Sequence, residues 1–187
     1  MRLYLITSNR GKLEEFRAAL APLGIEVEHC TEDCDEIQAD TLEEVVANCL
    51  QQLKSKGLKD FVIDDSGLFV DALEGFPGVY SSYALRTIGL EGVLKLMGGR
   101  TDRAAHFESC VGCSIFGEEF SVTGRCDGTI ASRPSGEGGF GFDPIFIPSG
   151  YSQTFAEISL EEKNRISHRG RAIQAFAQEL RRRLDGA

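Results

Sequence analysis

The sequence lacks an apolar run long enough to cross a membrane. No stretch approaches the roughly 18 consecutive apolar residues that a spanning helix needs. The N-terminal MRLYLITSNR lacks the apolar core and following small residues of a secretory signal, and repeats, linkers and low-complexity tracts are missing throughout. We therefore expect a single soluble domain over residues 1–187, cytoplasmic and without a membrane partner.

Positive charge is also scarce. The chain has 20 Lys and Arg residues against 29 Asp and Glu residues, which gives a formal net charge of −9. Because binding to a phosphate backbone draws on clustered Lys and Arg, this balance argues against a nucleic-acid partner. A small anionic ligand remains open, but it needs a local basic pocket or a metal ion to overcome the overall field.

Six cysteines are present, without the spacing of a metal or disulfide framework. Cys110 and Cys113 have the separation found in zinc knuckles, but the alternating pattern around them predicts a strand with the two sulfurs on opposite faces. His29, Cys30 and Cys34 have no second pair at a matching spacing. We expect reduced, partly buried thiols in a reducing compartment.

Strands and helices alternate along the predicted chain. An apolar stripe predicts a helix that Gly24 ends, and Thr41 and Glu44 form a capping box that opens another helix reaching about Gly57. Strands are predicted at residues 2–7, 25–29 and 60–65, with extended structure resuming after Ser66-Gly67, and residues 105–116 pair with 119–131 in a long hairpin. The predicted fold class is α/β, with a mixed sheet flanked by helices.

The segment TSNRGK, residues 7–12, lies between a predicted strand and a predicted helix. A helix N-terminus presents unpaired N–H groups, Gly11 permits close approach, and Lys12 adds a cation, so the segment could hold phosphate. It is not a Walker A loop, because the first glycine of that motif is missing. The alternative is that Ser8 or Asn9 only caps the helix and Lys12 is solvated.

Two acids follow the apolar run FVI. If the strand continues through them, Asp64 and Asp65 face opposite sides, so we expect one to fix local backbone and the other to reach the site. A carboxylate there could hold Mg²⁺ or accept a proton from water, and Glu36 in the acidic segment offers a second oxygen ligand. A polar turn that ends the strand is an equally good alternative.

The loop GGFGFDP contains two phenylalanines around Gly141. Phe140 and Phe142 could form a platform for a flat base, with Asp143 held by the following proline, or one or both rings could fill the core.

Three cations or donors near the C-terminal helix point in different directions if that helix is straight. Lys163, His168 and Arg169 converge only if the helix breaks, which is predicted by Ser159 and Ser167 as successive N-caps. The alternative is a basic, solvated helix face. A nucleotide site needs groups that bind phosphate, acids that hold a metal ion, an aromatic surface and hydrogen-bond donors for the base. The four segments described above together supply these groups.

Four segments together resemble the Ham1 family of inosine/xanthosine triphosphate pyrophosphatases: TSNRGKLEEF, DDSGLFVDAL with GFPGVYS, GGFGFDPIFIP, and TFAEISLEEKNRISHRGRA. They follow the family's order and span residues 7–172. The resemblance implies an elongated mixed α/β homodimer whose two lobes enclose the nucleotide. It also implies Mg²⁺-dependent cleavage of ITP, dITP and XTP to the monophosphate and pyrophosphate, with Mn²⁺ as the alternative metal.

The resemblance also implies roles for individual residues. Asp65 and Lys12 are implied as catalytic residues, with Asp65 as proton acceptor, and Glu36 and Asp65 are implied as metal ligands. The implied substrate contacts are Thr7, Ser8, Asn9, Arg10, Gly11, Lys12, Ser66, Phe140, Gly141, Phe142, Asp143, Lys163, His168 and Arg169. Two departures are visible, since Asn48 aligns with a lysine common in relatives and Phe142 with a Trp or Tyr.

Three alternative functions remain at this point. A Maf-like nucleotide pyrophosphatase is related in architecture and acts mainly on pyrimidine or modified nucleotides, and the segment EEKNRISHR argues against it. A non-catalytic nucleotide-binding regulator is disfavoured because all the expected acids are present. A bare interaction module would leave the clustered glycines and donors unexplained.

Overall fold

The structure is a computed structural model that describes residues 1–7 and 9–185. Ser8, one of the predicted substrate contacts, lies outside the described residues. The strands are β1 Arg2–Ile6, β2 Glu26–Cys30, β3 Phe61–Val70, β4 Pro77–Gly78, β5 Ala104–Ile115, β6 Glu118–Ile130 and β7 Phe146–Pro148. The helices are α1 Arg10–Leu20, α2 Leu42–Ser55, α3 Ser81–Thr87, α4 Gly89–Leu96, α5 Leu160–Ile166 and α6 His168–Asp185.

The strands form one mixed sheet in the order β2-β1-β3-β5-β6-β7, with β4 paired to β3. β1 runs parallel to both of its neighbours, whereas β4 and β7 run antiparallel to β3 and β6. In this register Leu5 lies opposite His29 on one side and Val62 on the other. The predicted mixed α/β fold is therefore confirmed. No helix among the described residues is both long enough and apolar enough to cross a membrane.

The chain divides into two compact units. The first unit comprises Met1–Asp65, Ser109–Gly124 and the segment from Gly170 onward, and the second comprises Ser66–Glu108 and Arg125–Arg169. In the first unit, the alternating Leu3 and Leu5 of β1 are fully buried against α1 and α6. Each helix contributes the apolar stripe that its spacing predicts. Their aromatic members, Phe16 and Phe176, have ring centroids 6.2 Å apart.

The core of the second unit is rich in aromatic rings. Phe107 on β5 packs edge-on against Phe146 on β7 with ring centroids 4.7 Å apart, and it stacks on Phe155 with centroids 5.9 Å apart. Phe142 joins the same buried cluster at 4% exposure. This cluster supports both the loop that precedes β7 and the start of α6.

The helix boundaries follow the predicted caps. Gly24 has a left-handed φ of 69° just after the turn that ends α1. Thr41 and Glu44 form the complete capping box at the start of α2. Ser159 caps α5, and Ser167 is extended with ψ of 160°, so the predicted break between α5 and α6 is confirmed.

Strand β3 differs from the prediction. It runs without interruption from Phe61 to Val70, through the Ser66-Gly67 pair that was expected to break it. The glycine is explained by β4, because a Cβ on Gly67 would lie 2.4 Å from the carbonyl oxygen of Gly78. Gly67 therefore permits two strands to approach closely rather than making a turn.

The state of two cysteines also differs from the prediction. Cys34 and Cys49 form a disulfide, with their Cα atoms 5.4 Å apart, so the prediction that all thiols are reduced is wrong. Their spacing in sequence does not show that the acidic segment folds back onto α2, which is what brings them together. Cys110 and Cys113 are fully buried in β5, and burial raises the pKa of Cys113 to about 12.

Candidate active site

The segment before α1 is organised by its own side chains. Asn9 is the N-cap, and its Oδ1 accepts from the backbone N–H groups of Gly11 at 2.9 Å and Lys12 at 3.4 Å. The Asn9 N–H donates in turn to Thr7 Oγ1 at 3.1 Å. His29 Nε2 donates to the carbonyl oxygen of Thr7 at 2.5 Å. The cap predicted as an alternative is present, and it places the positive end of the α1 dipole beside Lys12.

Lys12 is held by an acid from the middle of the sheet. Its Nζ lies 2.8 Å from the carbonyl oxygen of Asp64 and 3.2 Å from Asp64 Oδ2. The Asp64 side chain is fully buried, although its backbone is partly exposed, and the hydroxyl of Ser109 donates to Asp64 Oδ1. Lys12 is therefore an ordered side chain and not the solvated one that was the alternative.

Asp65 is the next residue of β3, and its side chain leaves the opposite face of the strand from that of Asp64. It is partly buried. Alternation along the strand therefore separates the two carboxylates, and Asp64 is the one that contacts Lys12.

Glu36 lies in an irregular and exposed segment whose backbone is anchored to α2. The Cys34–Cys49 disulfide makes one anchor. Gln52 makes a second, because its side chain donates to the carbonyl oxygen of Asp35 at 2.8 Å and accepts from the Asp35 N–H at 2.9 Å. Glu36 is the next residue after these anchors. Its backbone is therefore held near α2, although the residue is exposed.

Glu36 and Asp65 carry carboxylate oxygens, which are the type of ligand that Mg²⁺ prefers. Within the described residues there is no group of three or more His, Cys, Asp or Glu side chains that would hold a metal ion alone. Mg²⁺ is commonly bound by one or two carboxylates together with substrate phosphates and water, so two carboxylates suffice for that mode of binding.

The α2 position at which the resemblance implies a lysine holds Asn48, and the nearby lysines Lys54 and Lys56 have partners of their own. Asn48 stands at the aligned position, and its Oδ1 accepts from Gln52 Nε2 at 2.6 Å. Lys54 contacts Glu119, and Lys56 donates to the carbonyl oxygen of Asp33 at 2.5 Å. Both lysines are thus engaged by other groups of the first unit.

In the second unit, Asp143 binds two groups with a single oxygen. Its Oδ2 accepts from Lys163 Nζ at 2.6 Å and from the N–H of Phe140 at 2.7 Å. The side chain of Asp143 is 4% exposed and that of Lys163 is 5% exposed. Gly139 has a φ of 70°, and a Cβ there would lie 2.1 Å from the same oxygen, so only glycine fits this turn.

Two buried cations lie over one ring of the loop. Phe140 is 42% exposed, and its ring centroid is 4.7 Å from Lys163 Nζ and 5.2 Å from Arg169 Cζ. Arg169 is 4% exposed and donates to Ser66 Oγ at 3.3 Å. The helix break thus brings Lys163 and Arg169 to one aromatic ring, and both side chains carry N–H donors.

Two of the predicted substrate contacts, Phe142 and His168, have buried side chains. Phe142 is 4% exposed within the aromatic cluster, so it fills the core and does not present the expected stacking face. His168 is also 4% exposed, and its ring stacks on Phe107 at 4.6 Å between centroids. Gly141, between the two phenylalanines, adopts a φ of 65°. Arg10, at the start of α1, is exposed.

Several residues that support the site were missed by the sequence analysis. Glu157 accepts from Ser135 Oγ at 2.6 Å and from the N–H of Thr154 at 2.8 Å, and it thereby holds the base of the glycine-rich loop. Ser109 lies in the alternating segment HFESCVGCSIF and is fully buried on β5. A hydroxyl at such a position needs a buried partner, which was the signal that could have linked it to Asp64.

Comparison with known proteins gives a consistent result. The sequence pattern of the Ham1 family matches residues 3–179. A protein of Thermococcus kodakarensis named dITP/XTP pyrophosphatase is 55% identical over 98% of this chain and 100% of its own length. One of the same name from Pyrococcus horikoshii is 50% identical over 97% of each chain.

Solved structures agree with the sequence comparisons. The structure of the Staphylococcus aureus Ham1 protein has a TM-score of 0.86 and 32% identity, covering 97% of this chain and 98% of its own. A HAM1 protein from Coxiella burnetii has the same TM-score and 30% identity, covering 97% and 99%. The match extends over nearly the whole chain in sequence and in structure, and we conclude that this protein belongs to the Ham1 family.

Proposed function

We propose that this protein hydrolyses the non-canonical purine nucleoside triphosphates ITP, dITP and XTP to the monophosphate and pyrophosphate. The observation that carries the proposal is the pair of buried cations, Lys163 and Arg169, beside the exposed ring of Phe140. Both cations are buried and lie over one ring, so they are ordered groups and not a solvated helix face. Family membership and the names of the close relatives support the same activity.

Base choice follows from the polarity of these groups. Hypoxanthine and xanthine present a 6-oxo acceptor where adenine presents a 6-amino donor. Lys163 and Arg169 can only donate, so they match the keto bases and leave adenine without a partner. Sites built on such pairing discriminate by factors on the order of 10⁴. Guanine also has a 6-oxo group, so its rejection depends on contacts at the 2-position.

The polyphosphate chemistry is assigned to the first unit. We propose that the α1 N-terminus and Lys12 bind the phosphates, which an acidic protein of net charge −9 needs in order to hold a polyanion. Asp65 and Glu36 would hold Mg²⁺, or Mn²⁺ in its place, and the ion would neutralise phosphate charge when bound. Asp65 positions a water molecule and accepts its proton as the water oxygen bonds to the α-phosphorus.

The bond from the α-phosphorus to its bridging oxygen breaks in the same displacement, and pyrophosphate leaves with the added charge. Lys12 stabilises that charge as it develops. The products are therefore one monophosphate and one pyrophosphate, with no orthophosphate.

We also propose that the protein acts as a cytoplasmic homodimer. Support for dimerisation comes from the large apolar side chains that the second unit exposes, including Tyr83 at 60% and Leu96 at 48%. Light scattering on purified protein tests the dimer, and a mass of about 20.5 kDa would identify a monomer instead.

A substrate panel tests the proposed activity. Purified protein is assayed with Mg²⁺ against ITP, XTP, dITP, ATP, GTP, UTP and CTP, and pyrophosphate and orthophosphate are measured separately. We expect ITP, dITP and XTP to be far better substrates than the others, with pyrophosphate as the phosphate product. Equal rates on ATP and GTP, or release of orthophosphate, would contradict the proposal.

A charge-preserving variant tests the base-binding assignment. Arg169→Lys keeps the positive charge but removes the planar donor fork, so kcat/KM for ITP should fall by about tenfold to hundredfold while the low rate with ATP changes little. Arg100→Lys is the matched control, because Arg100 is exposed in the same unit. An equal loss for ITP and ATP would show that Arg169 does not select the base.

A further inference from the structure

Asp64 is a fully buried carboxylate that the proposed reaction does not use. Placing a carboxylate inside a protein carries a desolvation penalty of several kcal/mol unless partners compensate for it. Continuous strand β3 also directs its side chain away from the face of Asp65. A buried acid in this position therefore calls for an explanation in terms of its partners.

The two carboxylate oxygens of Asp64 have different partners. Oδ1 accepts from the hydroxyl of Ser109, which is itself 0% exposed, and Oδ2 lies 3.2 Å from Lys12 Nζ. The carbonyl oxygen of Asp64 accepts from the same ammonium at 2.8 Å. Ser109 thus fixes the carboxylate, and the carboxylate and carbonyl together fix the ammonium.

This arrangement leaves donor capacity on Lys12. An ammonium has three N–H groups, and within the described residues one donates to the carbonyl oxygen of Asp64, while Asp64 Oδ2 lies 3.2 Å from Nζ as an ion pair. The side chain of Lys12 is 16% exposed, so its tip is not sealed from solvent. The ammonium therefore keeps N–H capacity that a phosphate oxygen can use.

We propose that Asp64 is a positioning residue that orders Lys12 for the polyphosphate of the substrate. A lysine side chain loses rotamer entropy when it is ordered. Because Asp64 orders it before substrate arrives, this loss does not oppose binding or the transition state. The inference rests on the proposed role of Lys12 in binding phosphate.

A competing role for Asp64 predicts the opposite result. If the carboxylate served only to neutralise Lys12, its removal would strengthen the attraction between the ammonium and an anion. If it positions Lys12, its removal weakens productive binding although the site becomes more positive. Asp64→Asn separates the two cases, because it removes the charge while keeping the size of the side chain and the backbone carbonyl.

The test is a double-mutant cycle with Lys12→Ala, Asp64→Asn and the double variant. Steady-state kinetics with ITP and calorimetric binding of pyrophosphate are measured for each protein, with circular dichroism as the check on folding. We expect Asp64→Asn to lower kcat/KM by about 100-fold, the usual scale for a misplaced group. In the Lys12→Ala background the same change should have an effect of no more than about twofold.

The controls address folding and charge. Glu119→Gln removes one carboxylate from an ion pair with Lys54 in the same unit and should leave the kinetics unchanged. If Asp64→Asn does not fold, Ser109→Ala replaces it, with a smaller loss of kcat/KM that is again absent from the Lys12→Ala background. A structural role alone would lower the thermal midpoint without this coupling.

The outcomes distinguish the inference from the proposed function. Multiplicative effects of the two single changes, or tighter pyrophosphate binding by Asp64→Asn, would overturn the positioning role while the activity stands. Full activity of Lys12→Ala would overturn both the positioning role and the assignment of Lys12 to phosphate. Wild-type protein that releases no pyrophosphate from ITP would overturn the proposed function, and the calorimetric cycle would still test the coupling.

Discussion

The replacement of Asp143 by Asn tests how the loop around Phe140 is held. Asp143 Oδ2 accepts from Lys163 Nζ and from the N–H of Phe140, so one oxygen connects α5 to the loop. An amide oxygen can keep both hydrogen bonds in nearly the same geometry. The variant therefore removes mainly the negative charge and leaves a buried ammonium without its counter-ion.

The magnitude follows from burial. The two side chains are only 4% and 5% exposed, so solvent screens the pair little. Removing one partner of such a pair costs about 3–5 kcal/mol in the free energy of unfolding. For a chain of this length each kcal/mol corresponds to about 2–4 °C, which gives a fall in Tm of about 6–20 °C. The rings of Phe140 and Phe155 near Lys163 Nζ favour the lower part of that range.

Thermal and denaturant unfolding of four proteins measures this effect. Asp143→Asn should lose the stability given above, and Asp143→Asn with Lys163→Met should recover much of it because the unpaired charge is gone. Asp127→Asn is the control: its ion pair with Arg125 is 52% and 61% exposed, so its loss should cost no more than about 1 kcal/mol. If Asp143→Asn costs no more than this control, the pair does not hold the loop.

Three further predictions concern other parts of the molecule. Asp65→Asn should abolish pyrophosphate release with little change in Tm, and normal turnover would remove Asp65 from the mechanism. Reducing the Cys34–Cys49 disulfide should lower the free energy of unfolding by about 3 kcal/mol, with Cys34→Ser insensitive to reductant; equal sensitivity in both proteins would contradict this. Burial, aided by Arg125, lowers the pKa of His106 below its usual 6.5, so the unfolded chain binds the proton first and stability should fall as pH drops below that value. His106→Gln should reduce this slope, and an unchanged slope would exclude His106 as its source.

Elements governed by one uninterrupted pattern were predictable from the sequence. The spacing of Ile173, Phe176, Leu180 and Leu184 predicts an apolar face on α6. The first three side chains are buried and Leu184 is partly buried. The Thr41–Glu44 spacing predicted the start of α2, because a capping box uses only neighbouring residues. Local patterns of this kind carry their own physical cause and do not depend on the rest of the fold.

The details of the candidate site depend on contacts between distant segments, and these were not predictable. Gly67 resembled a turn residue, but its role is to admit the carbonyl oxygen of Gly78. Phe140 and Phe142 are identical and two residues apart, yet one is exposed and the other fills the core. An irregular loop has no periodicity to separate such a pair, so only the tertiary structure assigns their roles.

Each unit uses a buried aspartate to order a lysine, and this solves a problem that follows from the net charge. An acidic protein that binds a polyanion needs a few cations at fixed positions and not a broad basic surface. Lys12 is ordered by Asp64, and Lys163 is ordered by Asp143, while each ammonium keeps donor capacity beyond its ion pair. Each aspartate lowers the positive field around its lysine. This arrangement favours ligand binding only if the direction of the lysine N–H groups matters more than their charge. Selectivity for a keto oxygen and stabilisation of a departing phosphate both depend on direction, because each requires an N–H group at a specific place.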